Sequence, residues 1–400
     1  MCGGKKIIFF RFLSPPLSIF NPMLLEYLYQ NTGVHLLYSR LFSTSAATVI
    51  SFALAIALFP FYIRFLRRLR VSSEFDEGKE AGGPVMPAGI LFFFIIIAAT
   101  LVTVRVNAYV ISALVIYCFF SVIGAVDDIA KVVNQRKVAR GEMSHKDYQY
   151  KADGISSSLR LTLYLLISFV VAALAYKYIP NINKSINLPL VSVDKLYPTL
   201  PVWLFIPLMT LVIAVMANGV NFTDGFDTLA AVPSICCLAF LGIISFVSSN
   251  SIWCSYLLIP HIPGLQEILP LIGAVIGTLL AYLWYNSPPS TIIMGDSGSV
   301  GLGGFVGILF IFSKSEFYLP IVAFIFLLEF CSVFLQIGYF KLTKKRIFRC
   351  APIHHHFQFG MRAGGRYAGE FQIRSKITWR FHILSVILMI VGLVLFLKIR

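Results

Sequence analysis

The sequence predicts an all-α polytopic integral membrane protein with about ten transmembrane helices. Of its 400 residues 58% are hydrophobic and 13% are charged, and the mean hydropathy is +0.82. Soluble domains carry roughly a quarter charged residues. Ten apolar stretches are suited to crossing a hydrocarbon core of about 30 Å. They span residues 46–66, 88–104, 107–126, 159–178, 199–217, 229–248, 267–285, 298–313, 318–340 and 380–397.

The distribution of lysine and arginine predicts the orientation of these helices. Most of the basic residues lie in the connections after the first, third and ninth stretches. Cytoplasmic connections are enriched in Lys and Arg, so these three are predicted to be cytoplasmic, with both termini outside. The net charge of +15 then reflects topology and an attraction for anionic lipids or phosphorylated ligands. We exclude nucleic-acid binding, because no soluble basic domain is present.

The N-terminal residues 1–22 do not fit this orientation, because their basic residues would lie outside. We predict that they are an extension outside the functional chain, which would then be one membrane-embedded domain over residues 23–400. A signal peptide is the alternative, but no convincing cleavage site follows. Residues 183–197 are predicted to form an external hairpin, and residues 250–267 an interfacial segment. The seven cysteines lack metal or redox spacing.

Four polar clusters interrupt the apolar background, and the predicted topology places all of them on the cytoplasmic face. Ionisable groups at membrane depth are costly and are retained mainly where they handle ions, protons or charged substrates. Unrelated structural features would scatter over both faces, so a shared face favours one active site. The clusters are Asp127-Asp128 with Lys131, Asn218 to Asp227, Asn286 with Met294 to Ser299, and Pro352 to Phe357.

Asp127 and Asp128 are predicted to lie at the end of the third helix. Two adjacent carboxylates raise each other's pKa, and one of them is a candidate general base. The alternative is that they only end the helix and pair with Lys131. The scarcity of Asp in this chain, and the unfavourable position of negative charge at a helix C-terminus, argue against that alternative.

The segment from Asn218 to Asp227 follows the fifth apolar stretch directly. Asn218, Asn221, Asp224 and Asp227 recur every three residues, which stacks side chains on one face of a helix. Gly225 allows close approach of the backbone to a ligand. Mg²⁺ binds oxygen ligands and uses few carboxylates besides substrate phosphates and water, which suits a diphosphate site. Helix capping is the alternative, and it explains one or two of these residues.

Asp296 stands just before a new helix within Gly295-Asp-Ser-Gly-Ser299, so it is predicted either to cap that helix or to bind a metal ion. His354, His355 and His356 follow a proline, and we expect an extended segment whose alternate imidazoles point apart. That geometry argues against one metal ion held by all three. Binding of substrate phosphate or amide groups is the favoured role, and a solvated loop the alternative.

These motifs resemble those of the polyprenyl-phosphate N-acetylhexosamine-1-phosphate transferases, over about Met23 to Arg400. The shared signatures are Asp-Asp-x-x-Lys, Asn-x-x-Asn-x-Thr-Asp-Gly-x-Asp and Met-Gly-Asp-x-Gly-Ser. The stretch Ala351-Pro-Ile-His-His-His-Phe357 resembles the muramoyl-pentapeptide branch in particular. The resemblance implies a Mg²⁺-dependent transfer of phospho-MurNAc-pentapeptide from its UDP-linked precursor to undecaprenyl phosphate, an early step of peptidoglycan synthesis. It also implies a bacterial cytoplasmic-membrane enzyme, often a homodimer.

The resemblance also implies roles for individual residues. Asp296 would bind the metal ion, and Asp127 and Asp128 would act at the lipid phosphate, one of them as base or nucleophile. Further residues would bind substrate or shape its pocket: Lys131, Asn218, Asn221, Asp224, Gly225, Asp227, Asn286, His354, His355 and His356.

Three departures from the family pattern affect these roles. Ile293 stands where the family carries an aromatic residue thought to pack on uracil, so we expect Phe222 or Phe226 to take that part. The segment Gly83 to Gly89 lacks the usual glycine pair. The lysine normally found before Gly-Leu-Ser is Asp153, and Lys151 is predicted to substitute for it.

Two other functions remain alternatives. A transferase that uses UDP-GlcNAc is one, although the histidine motif argues against it. A transporter is the other, but transport predicts charges near the bilayer midplane and broken helices there.

Overall fold

The computed structural model describes residues 24–69, 71, 83–139, 156–184, 187, 199–365 and 369–397, and these residues are almost entirely helical. Each of the ten predicted stretches corresponds to a helix, which confirms a polytopic helical membrane protein. Eight of these helices are long and apolar enough to cross a membrane, and two apolar helices are shorter. The ten are α1 (Arg40–Arg68), α2 (Gly89–Thr103), α3 (Ala108–Ala139), α4 (Ser157–Tyr178), α5 (Val202–Thr223), α6 (Ala231–Ser248), α7 (Leu269–Asn286), α8 (Asp296–Phe312), α9 (Phe324–Thr343) and α10 (Glu370–Leu397).

The helix ends differ from the predicted boundaries where a helix leaves the apolar region. Helix α3 continues to Ala139, well past the predicted end at residue 126, because no glycine or proline interrupts the polar stretch that follows. Helix α9 begins at Phe324, after the separate short helix Leu319–Val322. Hydropathy therefore located the apolar part of each helix and missed the polar extension of helices such as α3.

Helix α8 is the centre of the molecule, and every residue from Ser297 to Phe312 is buried. It packs most extensively against α3 and α5. Glycines allow this close packing: a Cβ placed on Gly124 of α3 would lie 2.3 Å from the Asp296 carbonyl oxygen, and one on Gly303 would lie 2.4 Å from the Met216 oxygen. The first turn of α8 is consequently held directly against the acidic turn of α3.

Two irregular segments pair beside the first turn of α8. The Val85 N–H donates to the Thr291 carbonyl at 3.1 Å, and the Ile293 N–H donates back to the Val85 carbonyl at 2.8 Å. The Tyr62 hydroxyl donates to the Pro87 carbonyl at 2.8 Å. Non-helical backbone at membrane depth requires such partners. The short helices α2 and α8 both begin at this pair of segments.

Several predictions concern other parts of the chain. The interfacial segment contains a short helix, Ser251–Leu257, whose N-terminus is capped by the Asn250 side chain. The extension 1–22, most of the predicted hairpin 183–197, and the stretch from Lys151 to Gly154 lie outside the described residues.

Candidate active site

The two adjacent carboxylates of α3 are completely buried. Asp127 and Asp128 each have 0% exposed surface. The prediction that the helix ends at this pair was wrong, because α3 continues for about three more turns, to Ala139. Both residues therefore lie in an internal turn of α3 that faces α8. The unfavourable effect of negative charge at a helix C-terminus does not apply to them. Burial of two carboxylates instead requires polar partners on neighbouring helices.

Asp128 caps the N-terminus of α8. Its Oδ1 accepts the Asp296 N–H at 3.0 Å, and its Oδ2 accepts the Ser297 N–H at 2.9 Å. The first N–H groups of a helix have no partner within the helix, and a carboxylate there also complements the positive end of the helix dipole. Asp296 itself is the first residue of α8 and was predicted as a cap or a metal ligand. The capping role belongs to Asp128.

Within the described part of the chain, Asp127 and Asp296 share two cationic partners. Lys131 Nζ lies 2.8 Å from Asp127 Oδ2 and 2.9 Å from Asp296 Oδ2. Arg160 Nη1 lies 3.0 Å from each of the same two oxygens. Arg160 comes from the first turn of α4, so three helices supply this cluster. We call Asp127, Lys131, Asp296 and Arg160 the ion cluster.

Amide and acidic side chains from the end of α5 complete the surroundings of Asp296. The Asn221 amide donates to Asp296 Oδ1 at 2.9 Å and to the Ser299 hydroxyl at 3.0 Å. Asp224 lies close to the Gly295 backbone. Burial raises the pKa of the Asp224 carboxyl well above its ordinary value, and the nearby negative charges of Asp296 and Asp128 raise it further.

Other predicted residues shape the site without touching the ion cluster. Asn286 accepts the Thr228 N–H at 2.7 Å and donates to the Ile292 carbonyl at 2.8 Å, which ties together the two loops around Asp296. The Asn218 amide donates within its own helix, to Ala214 at 2.8 Å. Asp227 lies in the turn that follows Asp224.

The two candidate phenylalanines differ in their surroundings. Phe226 is buried, and its ring packs edge-on against His354 and His355 at 4.7 and 5.4 Å between ring centroids. Phe222 is half-buried and stacks on Phe330 with ring centroids 6.3 Å apart. Of the two, Phe222 has more ring surface free to meet a ligand.

The three histidines belong to a helix, Ile353–Ala363, and the prediction of an extended segment was wrong. A proline restricts the residue before it and leaves the residues after it free to be helical. The prediction that neighbouring imidazoles point apart was also wrong for the first pair, because the His354 and His355 rings lie 4.2 Å apart between centroids. Their other partners differ: His355 Nδ1 lies 2.9 Å from the Gln358 amide oxygen, and His356 Nδ1 accepts the Arg349 N–H at 3.1 Å. Burial lowers the pKa of His355. Among the described residues, no group of three His, Cys or acidic side chains is arranged to hold a metal ion.

His354 is held by a carboxylate that the sequence motifs did not single out. Its Nδ1 lies 3.2 Å from Glu329 Oε2, and both side chains are almost completely buried. A Cβ placed on Gly225 would lie 2.3 Å from His354 Nε2. The histidine helix therefore meets the α5 segment at this glycine, next to Asp224. Through these contacts all four predicted clusters share one site.

Sequence reasoning missed two charged residues of this site. Arg160 was counted only as a cytoplasmic charge, and the predicted substitute Lys151 lies outside the described residues. Glu329 is a carboxylate in the middle of an apolar stretch. The cost of ionisable groups at membrane depth was a sufficient signal to find Glu329.

The fold and the site together define a polytopic membrane protein with a buried, acid-rich polar centre. The family model described as glycosyl transferase family 4 matches residues 110–314, which contain both carboxylates of the ion cluster. The match begins near the start of α3 and ends just after α8, so it covers the helices that carry Asp127, Arg160, Asn221 and Asp296.

Relatives cover nearly the whole chain. A protein from a Nitratiruptor species is 34% identical over 96% of this chain and 98% of its own length. Others from Campylobacter curvus and Syntrophus aciditrophicus are 33% and 34% identical, over 88% and 93% of this chain and 93% and 96% of their own lengths. All three are named phospho-N-acetylmuramoyl-pentapeptide-transferase. The chain belongs to glycosyl transferase family 4, in its group of phospho-N-acetylmuramoyl-pentapeptide transferases. This result confirms the resemblance seen in the motifs.

Proposed function

We propose that this chain transfers phospho-MurNAc-pentapeptide from UDP-MurNAc-pentapeptide to undecaprenyl phosphate, which releases UMP and forms lipid I. The observation that carries the proposal is the ion cluster at the capped N-terminus of α8. Phosphoryl transfer depends mainly on positioning and on charge stabilisation, and this cluster supplies both. Membership among enzymes named for this substrate supports it, and neither the UDP-GlcNAc nor the transporter alternative has comparable support.

We place the site on the cytoplasmic face of the bacterial cytoplasmic membrane, with both termini outside. The bias of Lys and Arg toward alternate connections supports this orientation. The two short helices α2 and α8 count as crossings in this topology, because both begin at the paired segments next to the site. A water-soluble nucleotide then reaches the site from the cytoplasm, and the lipid phosphate reaches it from the bilayer.

The ion cluster fits a site for Mg²⁺. Oδ2 of Asp127 and Oδ2 of Asp296 contact the same two nitrogen atoms, so two hard oxygen ligands face one small region. Mg²⁺ commonly takes one or two carboxylates together with substrate phosphates, and no larger group of acidic, His or Cys ligands occurs among the described residues. When bound, Mg²⁺ would neutralise the diphosphate and polarise its phosphoryl oxygens.

Residues of the chain then have distinct roles. Asp296 would hold the metal ion, in an orientation fixed by Asn221 on one oxygen and by the Asp128 cap on its backbone N–H. Asp128 holds the first turn of α8 through both of its oxygens, and we assign the role at the lipid phosphate to Asp127, which shares Lys131 and Arg160 with Asp296. Lys131 would hold phosphate beside it.

The nucleoside and sugar-peptide ends of the substrate would meet the α5 segment and the histidine helix. Phe222 is the candidate to pack on uracil in place of the aromatic residue that Ile293 replaces. His354 is buried between Glu329 and Gly225, so it would hold the histidine helix against the α5 segment, and the partly exposed His355 is the candidate to contact the substrate.

The test is UMP release by purified enzyme in lipid nanodiscs. Release should require UDP-MurNAc-pentapeptide, undecaprenyl phosphate and Mg²⁺ together, and it should fall to background with EDTA. UDP-GlcNAc in place of the pentapeptide substrate is the matched control and should give no product. Release from UDP-GlcNAc alone, or no release from either donor, would contradict the proposal.

A further inference from the structure

Arg160 occupies the space beside Asp296 that a bound metal ion and a substrate phosphate would need. Its Nη1 contacts Asp127 and Asp296, and its side chain is 17% exposed. Together with Lys131 it balances the two negative charges of the cluster. Water screens such charges poorly at this depth, so an unbalanced carboxylate would be costly there. The carboxylates are therefore neutralised by the protein's own cations.

A divalent cation at Asp296 must change this arrangement. Asp296 Oδ2 has Lys131 Nζ at 2.9 Å and Arg160 Nη1 at 3.0 Å, so a further positive charge on the same oxygen would be repelled. Lys131 is fixed near Asp127, because the two residues are one turn apart in α3. Arg160 reaches the cluster from another helix by a long side chain. It is the cation that can leave with the smaller change in structure.

We propose that Arg160 exchanges partners during substrate binding: it neutralises Asp127 and Asp296 in the free enzyme and moves to a substrate phosphate when a divalent cation binds. The guanidinium fork matches phosphate oxygens with two parallel hydrogen bonds, which favours this second position. The inference rests on the proposed function, because it takes a metal ion and a diphosphate as ligands of this site. Metal and nucleotide should then bind cooperatively. The metal ion displaces Arg160 from Asp296, and the phosphate holds Arg160 away from the metal ion.

Metal binding without nucleotide gives the first test. Mn²⁺ serves as the probe, and its binding to the full-length enzyme in nanodiscs is measured by electron paramagnetic resonance. Arg160→Gln removes the competing cation, so it should bind Mn²⁺ about threefold to tenfold more tightly than wild type. If Arg160 only supports the structure, binding should be unchanged or weaker, and that result would overturn the proposal.

Nucleotide binding gives a second test of opposite sign. UDP is the probe, and its affinity is measured by calorimetry with and without Mn²⁺. Arg160→Gln should weaken UDP binding about fivefold or more and should reduce the gain that Mn²⁺ gives the wild type. Arg160→Lys keeps the charge without the fork, and should bind Mn²⁺ like wild type but UDP more weakly. Equal UDP affinity in the wild type, Arg160→Gln and Arg160→Lys would contradict the proposed exchange of partners by Arg160.

Arg136→Gln is the matched control, because it removes the same charge from the far end of α3. Arg136 donates to the Leu69 carbonyl at 2.7 Å and lies more than two helical turns beyond Asp127. This variant should bind Mn²⁺ and UDP like wild type. If Arg160→Gln fails to fold, the Mn²⁺ and UDP affinities of Arg160→Lys and of wild type are compared instead.

The exchange and the proposed function fail in different ways. Opposite changes in Mn²⁺ and UDP affinity without UMP release by the wild type would support the exchange and reject the transferase reaction. UMP release by the wild type, with no effect of Arg160→Gln on either ligand, would reject the exchange alone.

Discussion

Asp128 holds Asp296 through the backbone, because its two carboxylate oxygens accept the N–H groups of Asp296 and Ser297 at 3.0 and 2.9 Å. Asp128, for which the family resemblance implies a catalytic role, is therefore also the N-terminal cap of α8. The metal-binding candidate and the acidic turn of α3 cannot move independently. Changes at Asp128 should affect stability and activity together.

Asp128→Asn should nearly abolish lipid product and also lower thermal stability. The amide would present an N–H₂ group to one of the two backbone donors, and loss of a helix cap costs about 1 kcal/mol. Activity is measured as lipid I formed, and stability as the thermal unfolding midpoint in detergent. Membrane insertion should be unaffected. Near-normal turnover would reject the role of this carboxylate, and an unchanged midpoint would reject its capping role.

Glu329→Ala should slow the reaction without preventing membrane insertion. It removes the acceptor of the buried His354 backbone N–H, which lies 3.5 Å from Glu329 Oε2, and leaving that N–H unpaired costs about 1 to 3 kcal/mol. If that energy is lost from the transition state, kcat/KM falls roughly tenfold to a hundredfold. Glu329→Gln keeps an oxygen that can accept this N–H and should retain more activity. Equal activity of the two variants would contradict a positioning role for Glu329.

Gly225→Ala should inactivate the enzyme by displacing His354. The added Cβ would lie 2.3 Å from His354 Nε2, a distance that real atoms do not tolerate. Gly338→Ala in α9 is the control, because nothing lies within 4 Å of its added Cβ. The control should keep full activity and gain up to about 1 kcal/mol of helix stability. If both variants are equally active, His354 does not depend on this contact.

Stability should fall with rising pH more in the wild type than in Asp224→Asn. Burial raises the pKa of Asp224, so the folded state binds this proton more tightly than the unfolded state. The stability that the bound proton provides is complete below the ordinary pKa and is lost as pH rises toward the folded-state pKa. Thermal midpoints measured between about pH 5 and about pH 9 would show it. An equal or steeper decline in Asp224→Asn would contradict the shift.

The helices were predictable because an apolar stretch of about twenty residues typically forms a membrane-spanning helix. The ends were not, because α3 and α10 extend as helices beyond the apolar region, where hydropathy gives no signal. The break before Phe324 depends on the packing of a single short helix, which no periodicity reveals.

The site was predictable where polar residues adjoin an apolar stretch. Asp127, Asp128, Asn221 and Asp296 were all found in this way. Their partners were not, because a motif does not state which side chains meet. In the sequence, Arg160 was only one of the basic residues that predict which connections are cytoplasmic. The position of α4 beside α3 and α8 is what brings it to the carboxylates. The three histidines were predicted to be extended and are helical, because a proline limits only the residue before it.

UMP release by the wild type and by Asp296→Asn, assayed side by side with both substrates and Mg²⁺, tests the central claim most directly. The variant retains the amide oxygen that Asn221 contacts and loses the negative charge shared by Lys131 and Arg160. Wild type should release UMP only when undecaprenyl phosphate is present. The variant should be slower by about a hundredfold or more while remaining folded in the membrane. Near-normal release by the variant, or no release by the wild type, would contradict the claim.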